Sequence, residues 1–378
     1  MTDVNMSKIY KLRKIFLLLF VFFILNCPYV YTMESEMSYV NGSIEKILTK
    51  KVFSEEMQMD TGLLCQFKLS VRIPSENKSV QVDYAIEKKL EKYDIYPRKG
   101  DRIILQKEIN TEKNIVEYHF EGFDRTRIVI YLLIFFLVII IIFAGLKGFN
   151  AILALIVTLA LVFYVFIPMV LNGYSPIWSS VLICTLSTIA TLLIIGGFGI
   201  KSYAAIVGTI GGVISAGVLA VSVGYFSRIT GLYKQELLFL SNLKPDLDIR
   251  DLIISGFIIG ALGATMDVAM SISSSMYEIY VADTSKSIRK LFGSGMSIGR
   301  DIIGTMINTL ILAYTGSSFS ILLLFVIQKK DYPLGRIINF EMIFLEIVKS
   351  LSGSIGMLVC IPMTAFIAAL MLVKKRKD

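Results

Sequence analysis

Strongly polar side chains interrupt two long apolar stretches of this sequence between residues 260 and 314. In the first stretch they are spaced i, i+4, i+7 and i+11, which places them on one face of a helix. These residues are Asp267, Ser271, Ser274 and Glu278. In the second stretch they are Asp301, Thr305 and Asn308. Ionisable groups within apolar helices most often face a water-filled cavity, an ion or proton pathway, or a paired charge.

The two polar stripes are expected to face each other, because consecutive membrane helices turn polar surfaces away from lipid. Together they predict an ion or solute path in which Asp267 is the deepest ionisable group. Arg300 would neutralise Asp267 or Glu278 across the helix pair. The alternative is structural: Ser and Thr in membrane helices often bond to their own backbone, and Asp301 would cap a helix start.

The inventory of reactive residues excludes several other chemistries. The single histidine, His119, lies in a polar N-terminal region, so no His-based metal centre or Ser-His-Asp triad is encoded within the apolar part. The four cysteines are scattered and form no C-x-x-C motif. No cofactor or bound metal is predicted. An intramembrane aspartyl hydrolase would need Asp267 and Asp301 to converge, yet their expected depths differ. We therefore expect no enzymatic activity.

Composition indicates an α-helical polytopic membrane protein. Hydrophobic residues make up 55% of the 378-residue chain and charged residues only 18%, which excludes an ordinary soluble domain. The net charge of +8 is explained by basic residues flanking membrane helices, so no nucleic-acid partner is predicted.

About seven spans are predicted after residue 127, within a transmembrane domain over 128–373. Each is long enough to cross about 30 Å of hydrocarbon. They are residues 128–146, 151–171, 177–198, 204–225, 252–278, 302–327 and 348–373. Residues 1–33 are predicted to be a signal peptide or a signal-anchor segment, because four basic residues precede a short apolar run. Residues 374–378 form a basic cytoplasmic tail.

A polar domain of about the smallest size that folds alone is predicted over residues 34–124. Four or five alternating segments with turn signals between them favour a small β-rich barrel or sandwich. The export signal and the distribution of basic loops both place this domain outside the cell membrane and the C-terminus in the cytoplasm. A structural cap or an interaction module is its expected role.

Glycine patterns leave several structural alternatives open. Small residues at Gly208 and Gly212, and again at Gly256 and Gly260, predict close helix packing. The glycine-rich segment 292–300 is expected to be a flexible hinge loop. Residues 302–327 form either one helix or two half-helices broken at 316–318. Residues 332–346 mix charged and aliphatic side chains, which is typical of a membrane interface.

The chain resembles the YibE/F-like multitransmembrane proteins of bacteria, a family common in Gram-positive genera. The resemblance rests on GALGATMDVAMSISSSMYEI over 260–279 and GMSIGRDIIGTMINTLILAYTGSS over 295–318. It covers the region from about Asp124 to the C-terminus. It implies an integral membrane protein with an exported N-terminal domain, and it assigns no catalytic residues.

Two functions from different classes fit these observations. The first is an ion-coupled secondary transporter or permease of an unknown small solute, in which the polar stripes form the path. The second is a non-transporting membrane scaffold or envelope-complex subunit, in which the exported domain binds a partner. The lipid bilayer is a partner in both, and a homo-oligomer or an envelope protein is a further candidate partner.

Overall fold

The computed structural model describes residues 38–93, 95–110, 115–327 and 333–374. These residues fall into two compact units, one within Tyr31–Ile142 and the other within Phe143–Asp378. The predicted signal or anchor segment and nearly all of the basic tail lie outside the described residues.

The first unit contains the predicted β-rich domain. Its five strands are β1 (Ser38–Val52), β2 (Leu63–Ile73), β3 (Lys78–Glu87), β4 (Arg102–Asn110) and β5 (Ile115–Phe123). They form one antiparallel sheet in the order β3-β2-β1-β4-β5. A short helix α1 (Glu55–Thr61) joins β1 to β2, and a 3-10 turn (Lys88–Tyr93) follows β3.

The two edge strands of this sheet meet through aromatic side chains. Tyr84 on β3 lies 4.3 Å from Phe120 on β5 between ring centroids, and Phe123 packs edge-on to both rings. Because β3 and β5 are the outermost strands, this contact requires the sheet to curl. The buried residues on its inner face, including Phe67 and Leu69, form the core of the unit. The structure therefore fits the predicted barrel better than a sandwich of two sheets.

A polar cluster around Glu76 joins the same two edges. Lys107 of β4 and Lys78 of β3 each place an ammonium nitrogen 2.7 Å from the Glu76 carboxylate, and the Tyr118 hydroxyl donates to it at 2.6 Å. Hydrogen bonds from Lys107, then from Lys78 and Tyr118, lower the pKa of Glu76 to about 2. The ionised carboxylate therefore links the β2–β3 turn to three strands.

The remaining elements are helical. The long ones are α2 (Thr126–Leu161), α4 (Pro176–Gly196), α5 (Ile200–Phe226), α7 (Ile249–Ala282), α8 (Ile288–Ser317) and α11 (Glu341–Lys374). The short ones are α3 (Ile167–Leu171), α6 (Gln235–Leu243), α9 (Phe319–Ile327) and α10 (Leu334–Ile338). A π-helical turn, Val162–Phe166, connects α2 to α3.

Within the described residues, five helices are long and apolar enough to cross a membrane, and a sixth if α8 and α9 count as one bent span. The predicted spans 128–146 and 151–171 fall in a single helical segment, Thr126–Leu171. That segment breaks at Gly145, whose φ of 54° and ψ of −134° are not helical. The left-handed φ favours glycine, because a Cβ would clash with the backbone there.

The bounds of α8 differ from two of the expectations for residues 292–327. It begins at Ile288, so the glycine-rich segment 292–300 is helix and not a hinge loop. Asp301 consequently lies inside the helix and cannot cap its start. The open question of 302–327 is resolved in favour of two helices, since α8 ends at Ser317 and α9 departs at an angle of 65°.

Tertiary packing explains why glycines are tolerated inside α8. A Cβ at Gly295 would lie 2.5 Å from Met276 Sδ and 2.8 Å from Ala365 Cβ, and one at Gly299 would collide with Ile361. The glycines therefore let α8 approach α7 and α11 closely, which outweighs their low helix propensity.

A close backbone approach in the second unit joins α5, α7 and α11. A Cβ at Gly212 would lie 2.5 Å from Thr265 Cγ2 and 2.7 Å from the Gly356 carbonyl oxygen. Gly356 is equally restricted by Ala216 and by the Gly212 carbonyl oxygen, at 2.9 and 2.8 Å. The predicted packing role of the small residues on α5 is thus seen in the structure. On α7 the outcome differs, because Gly256 and Gly263 have no heavy atom within 4 Å of a Cβ position.

A carboxylate fixes the loop after α5 to the start of α11. Glu341 accepts hydrogen bonds from the backbone N–H groups of Thr230 and Gly231, at 2.8 and 2.5 Å, and from the Thr230 hydroxyl at 2.8 Å. Gly231 has a φ of +82°, which is the left-handed conformation that this tight turn requires.

We expect Gly212→Ala to destabilise the protein, because the added methyl group has no space at the α5–α11 crossing. Overpacking of this kind costs about 1–3 kcal/mol. Thermal unfolding in detergent should show a lowered midpoint. Gly256→Ala is the matched control and should leave the midpoint unchanged or raise it slightly, since its Cβ position is open. Equal behaviour of the two variants would contradict the described crossing.

We expect Glu76→Gln to loosen the β-rich unit near neutral pH and to have little effect in acid. The pKa of Glu76 is depressed in the folded state, so its stabilising effect is present above the unfolded value and is lost as pH falls towards 2. Hydrogen exchange of the β3 and β5 peptides, corrected for intrinsic rates, measures this effect. A difference from wild type that persists unchanged near pH 2 would contradict the role given to the carboxylate.

Candidate functional site

The polar stripe on α7 lies on an exposed face of the helix. Asp267, Ser271 and Glu278 are exposed and Ser274 is half-buried. The opposite face, with Val268, Ile272 and Met276 fully buried, packs against α8 and α11. The stripe is therefore an open surface of the second unit.

Glycines extend this open surface towards the N-terminal end of α7. Gly256 and Gly263 meet nothing within 4 Å, and Gly260 meets only the Tyr314 hydroxyl, 3.2 Å from its Cβ position. These three residues share the face of Asp267 at helical spacing. The exposed face thus runs along most of α7, from Gly256 to Glu278, and we call it the α7 groove.

The polar stripe on α8 points elsewhere. Asp301, Thr305 and Asn308 are all exposed, whereas Gly295 and Gly299 face α7 and α11. At 100° per residue the stripe lies roughly half a turn around the helix from Gly299. The expectation that the two stripes face each other is therefore not met. The physical reason is that the glycine face, not the polar face, allows the close approach.

The charged residues of both stripes lack ionic partners among the described residues. Asp267, Glu278, Arg300 and Asp301 form no ion pair within 4.0 Å there, so the expected neutralisation by Arg300 is not seen. Arg300 Nε instead donates to the Met296 carbonyl oxygen at 3.4 Å.

Some hydroxyl groups follow the structural alternative. Thr305 donates to the Ile302 carbonyl oxygen at 2.8 Å, and Thr309 donates to the Thr305 carbonyl oxygen at 2.8 Å. These bonds satisfy the hydroxyls within α8 itself. On α7, Ser273 is buried and donates to the Lys201 carbonyl oxygen at 2.6 Å, which ties α7 to α5.

A cavity at the α8–α9 break contains functional candidates that the sequence analysis missed. It is partly open and has a volume of about 250 Å³ between the end of α8, α9 and the first turns of α11. Its polar lining residues are Tyr314, Thr315, Ser318, Glu346 and Ser350. We call it the Glu346 cavity. Tyr314 connects it to the α7 groove, because its hydroxyl lies against Gly260.

Glu346 is the unusual residue of this cavity. Its Oε2 atom is buried and has no hydrogen-bond partner among the described residues. Lys349, one turn along α11, forms no ion pair with it and instead places its ammonium group 4.5 Å from the centre of the Tyr314 ring. Burial raises the pKa of Tyr233, in the loop after α5, and the nearby carboxyl groups of Glu346 and Glu341 act in the same direction.

The sequence offered only a weak signal for Glu346. It falls in the 332–346 region, whose mixture of charged and aliphatic residues suggested a membrane interface. Its acid stands next to apolar residues in a helix, but nothing in the local pattern indicates that a helix break 30 residues earlier supplies the other wall. In the described part of the chain, no group of three or more Asp, Glu, His or Cys residues is arranged to hold a metal ion.

Comparison with known proteins identifies the family. The family model for YibE/F-like proteins matches residues 132–374, which is more than half of the chain. The chain therefore belongs to the YibE/F-like family, as the resemblance of its motifs indicated. No curated protein and no solved structure matches it.

We expect Met276→Cys and Gly295→Cys to form a disulfide when combined, because Gly295 faces Met276 across the α7–α8 contact. Asp267→Cys combined with Asp301→Cys should not form one, since these residues occupy faces that point apart. Both pairs are made in a background without native cysteines, and oxidised peptides are identified by mass spectrometry. Efficient linkage of the second pair would show that the two stripes meet.

Proposed function

We propose that this YibE/F-like protein is an ion-coupled membrane transporter of a small solute, and that the α7 groove is its path. Asp267 carries the proposal. It is an exposed carboxylate without an ionic partner among the described residues, and it lies near the middle of a 34-residue helix long and apolar enough to cross a membrane. A charge at such depth needs water, an ion or a partner.

The length of the helices supports seven crossings after residue 127. The 46 residues of Thr126–Leu171 would extend about 69 Å as a straight helix, roughly twice the thickness of the hydrocarbon layer. We assign two crossings to this segment, divided at the Gly145 break. Helices α4, α5, α7 and α11 supply one each, and the bent α8–α9 pair supplies the seventh.

An odd number of crossings places the β-rich unit and the C-terminus on opposite sides. We propose that the β-rich unit is extracytoplasmic in the cell membrane and that the C-terminus is cytoplasmic. The basic tail after α11 supports this orientation, because cytoplasmic flanks of membrane helices are enriched in Lys and Arg.

Each residue of the α7 groove has a role in this proposal. Asp267 binds and releases the coupling proton or cation at mid-depth. Ser271 and Ser274 offer hydroxyl oxygens between Asp267 and Glu278, which lies four residues before the end of α7. Arg300 lies on the neighbouring helix α8, directly after Gly299, whose Cβ position is 3.4 Å from Ile272 of α7, and it sets the local potential at that level.

The exposed polar face of α8 favours a second candidate function. Asp301, Thr305 and Asn308 face away from α7 and α11, so they are available to a partner helix. In a non-transporting scaffold this face would bind a second copy of the chain or an envelope protein, and the β-rich unit would bind an extracellular partner. This function requires stable assembly but no flux.

We expect Asp267→Asn to abolish ion-coupled proton movement, because an amide cannot take up and release a proton. The assay follows a pH-sensitive dye inside liposomes containing the purified protein while sodium and potassium gradients are applied in turn. A loss of tenfold or more in the protein-dependent rate is expected. Asp83→Asn, an exposed change on β3, is the matched control and should retain the wild-type rate.

Asp301→Asn separates the two candidate functions. A transporter that uses only the α7 groove should retain flux in this variant, and a loss would show that the α8 face belongs to the path. If wild type shows no flux with any gradient, while Asp301→Asn disrupts an oligomer measured by light scattering, the scaffold is supported instead.

A further inference from the structure

We propose that the Glu346 cavity binds a protonated aliphatic amine, with Glu346 as the anion that recognises its ammonium group. This site is distinct from the Asp267 path, and its existence does not depend on transport.

The carboxylate of Glu346 is the first reason. Glu346 lines the cavity, and among the described residues it forms no ion pair and its Oε2 atom has no hydrogen-bond partner, which is uncommon for a buried polar group. The cavity beside it also offers the hydroxyl groups of Thr315, Ser318 and Ser350. An ammonium group carries three donors and no acceptor, which matches one carboxylate flanked by hydroxyl oxygens.

The size and lining of the cavity define the rest of the ligand. Its volume of about 250 Å³ exceeds what a single bare cation needs, and most of the remaining wall is aliphatic. The aliphatic side chains include Ile311, Ile321, Leu322, Ile343 and Leu351. A ligand with a charged head and a short hydrocarbon body fits both parts. The C-terminal end of α8 adds negative dipole character near the carboxylate.

Lys349 could pair with Glu346 in place of a ligand, but its ammonium group contacts Tyr314 instead. Lys349 is three residues from Glu346 on the same helix and close enough in sequence to pair with it. Its ammonium instead lies over the Tyr314 ring, a favourable cation–π position. Lys349 therefore does not neutralise Glu346 in this structure.

The test measures binding of n-butylammonium chloride to the full-length protein in detergent by isothermal titration calorimetry. 1-Butanol, similar in length and uncharged, is the matched ligand control. We expect n-butylammonium to bind at least tenfold more tightly than 1-butanol. Glu346→Gln should weaken n-butylammonium binding about tenfold or more, because a charge-assisted hydrogen bond is lost. Glu236→Gln, exposed on α6, should bind as wild type does.

Two further variants keep the test decisive if Glu346→Gln folds poorly. Ile347→Trp should fill the cavity and weaken binding while leaving the carboxylate in place. Lys349→Met should bind at least as tightly as wild type, because the competing ammonium is gone. The proposal is overturned if 1-butanol and n-butylammonium bind equally, or if folded Glu346→Gln and Ile347→Trp proteins both bind like wild type.

The same ammonium chemistry occurs on soluble amines and on ethanolamine lipid headgroups. Titration in nanodiscs of phosphatidylglycerol, with and without phosphatidylethanolamine, distinguishes these sources. Weaker n-butylammonium binding in the presence of phosphatidylethanolamine would identify a lipid headgroup as the competitor, and unchanged binding would exclude that headgroup and leave soluble amines as the source. Both outcomes retain the Glu346 site. A loss of Asp267-dependent flux with intact amine binding, or the reverse, shows that the two proposals stand separately.

Discussion

The second unit is organised by the close approach of α5 and α11 at Gly212 and Gly356. Each glycine faces the backbone carbonyl of the other helix, with no room for even a methyl group. This contact brings α7 against both helices through Thr265, and α7 in turn receives α8 through Met276 and Gly295. The faces of α7 and α8 that remain exposed follow from this sequence of close contacts.

The consequence for polar residues is that they are displaced outwards. The small residues of α8 occupy its packed face, so Asp301, Thr305 and Asn308 must occupy the opposite one. Asp267 is displaced in the same way, because Val268 and Ile272 occupy the packed face of α7. On a protein surface in contact with water, exposed polar helix faces of this kind would be common. In a bilayer this arrangement requires that both faces meet water, a solute or another protein, which is why they dominate the functional proposals.

Features that depend on local pattern could be predicted from the sequence, and features that depend on a distant contact could not. Alternation within short segments was enough to predict the β-rich unit, and helical spacing correctly placed Asp267, Ser271 and Glu278 on one face. The direction in which the Asp301 face points could not be predicted, because it depends on Ile361 and Ala365 of α11, over 60 residues away. The helical conformation of segment 292–300 could not be predicted for the same reason. Its glycines suggest a loop unless the surfaces that pack against them are known. Glu346 was not predicted because its cavity depends on the position of α9 beside α11, which the local pattern around residue 346 does not indicate.

The Glu341 bonds to the Thr230–Gly231 turn have a mechanical consequence. They fasten the end of α5 to the beginning of α11, while the glycine crossing fastens the same two helices at mid-length. Two separated attachments prevent α5 and α11 from pivoting against each other, so they form the fixed frame of the unit. Helix α9 lies against the start of this frame, because Phe325 stacks on Phe340, the residue before α11, with 4.6 Å between the ring centroids. The wall of the Glu346 cavity that α9 supplies is therefore held at the start of α11 by this ring contact, beside the Glu341 bonds.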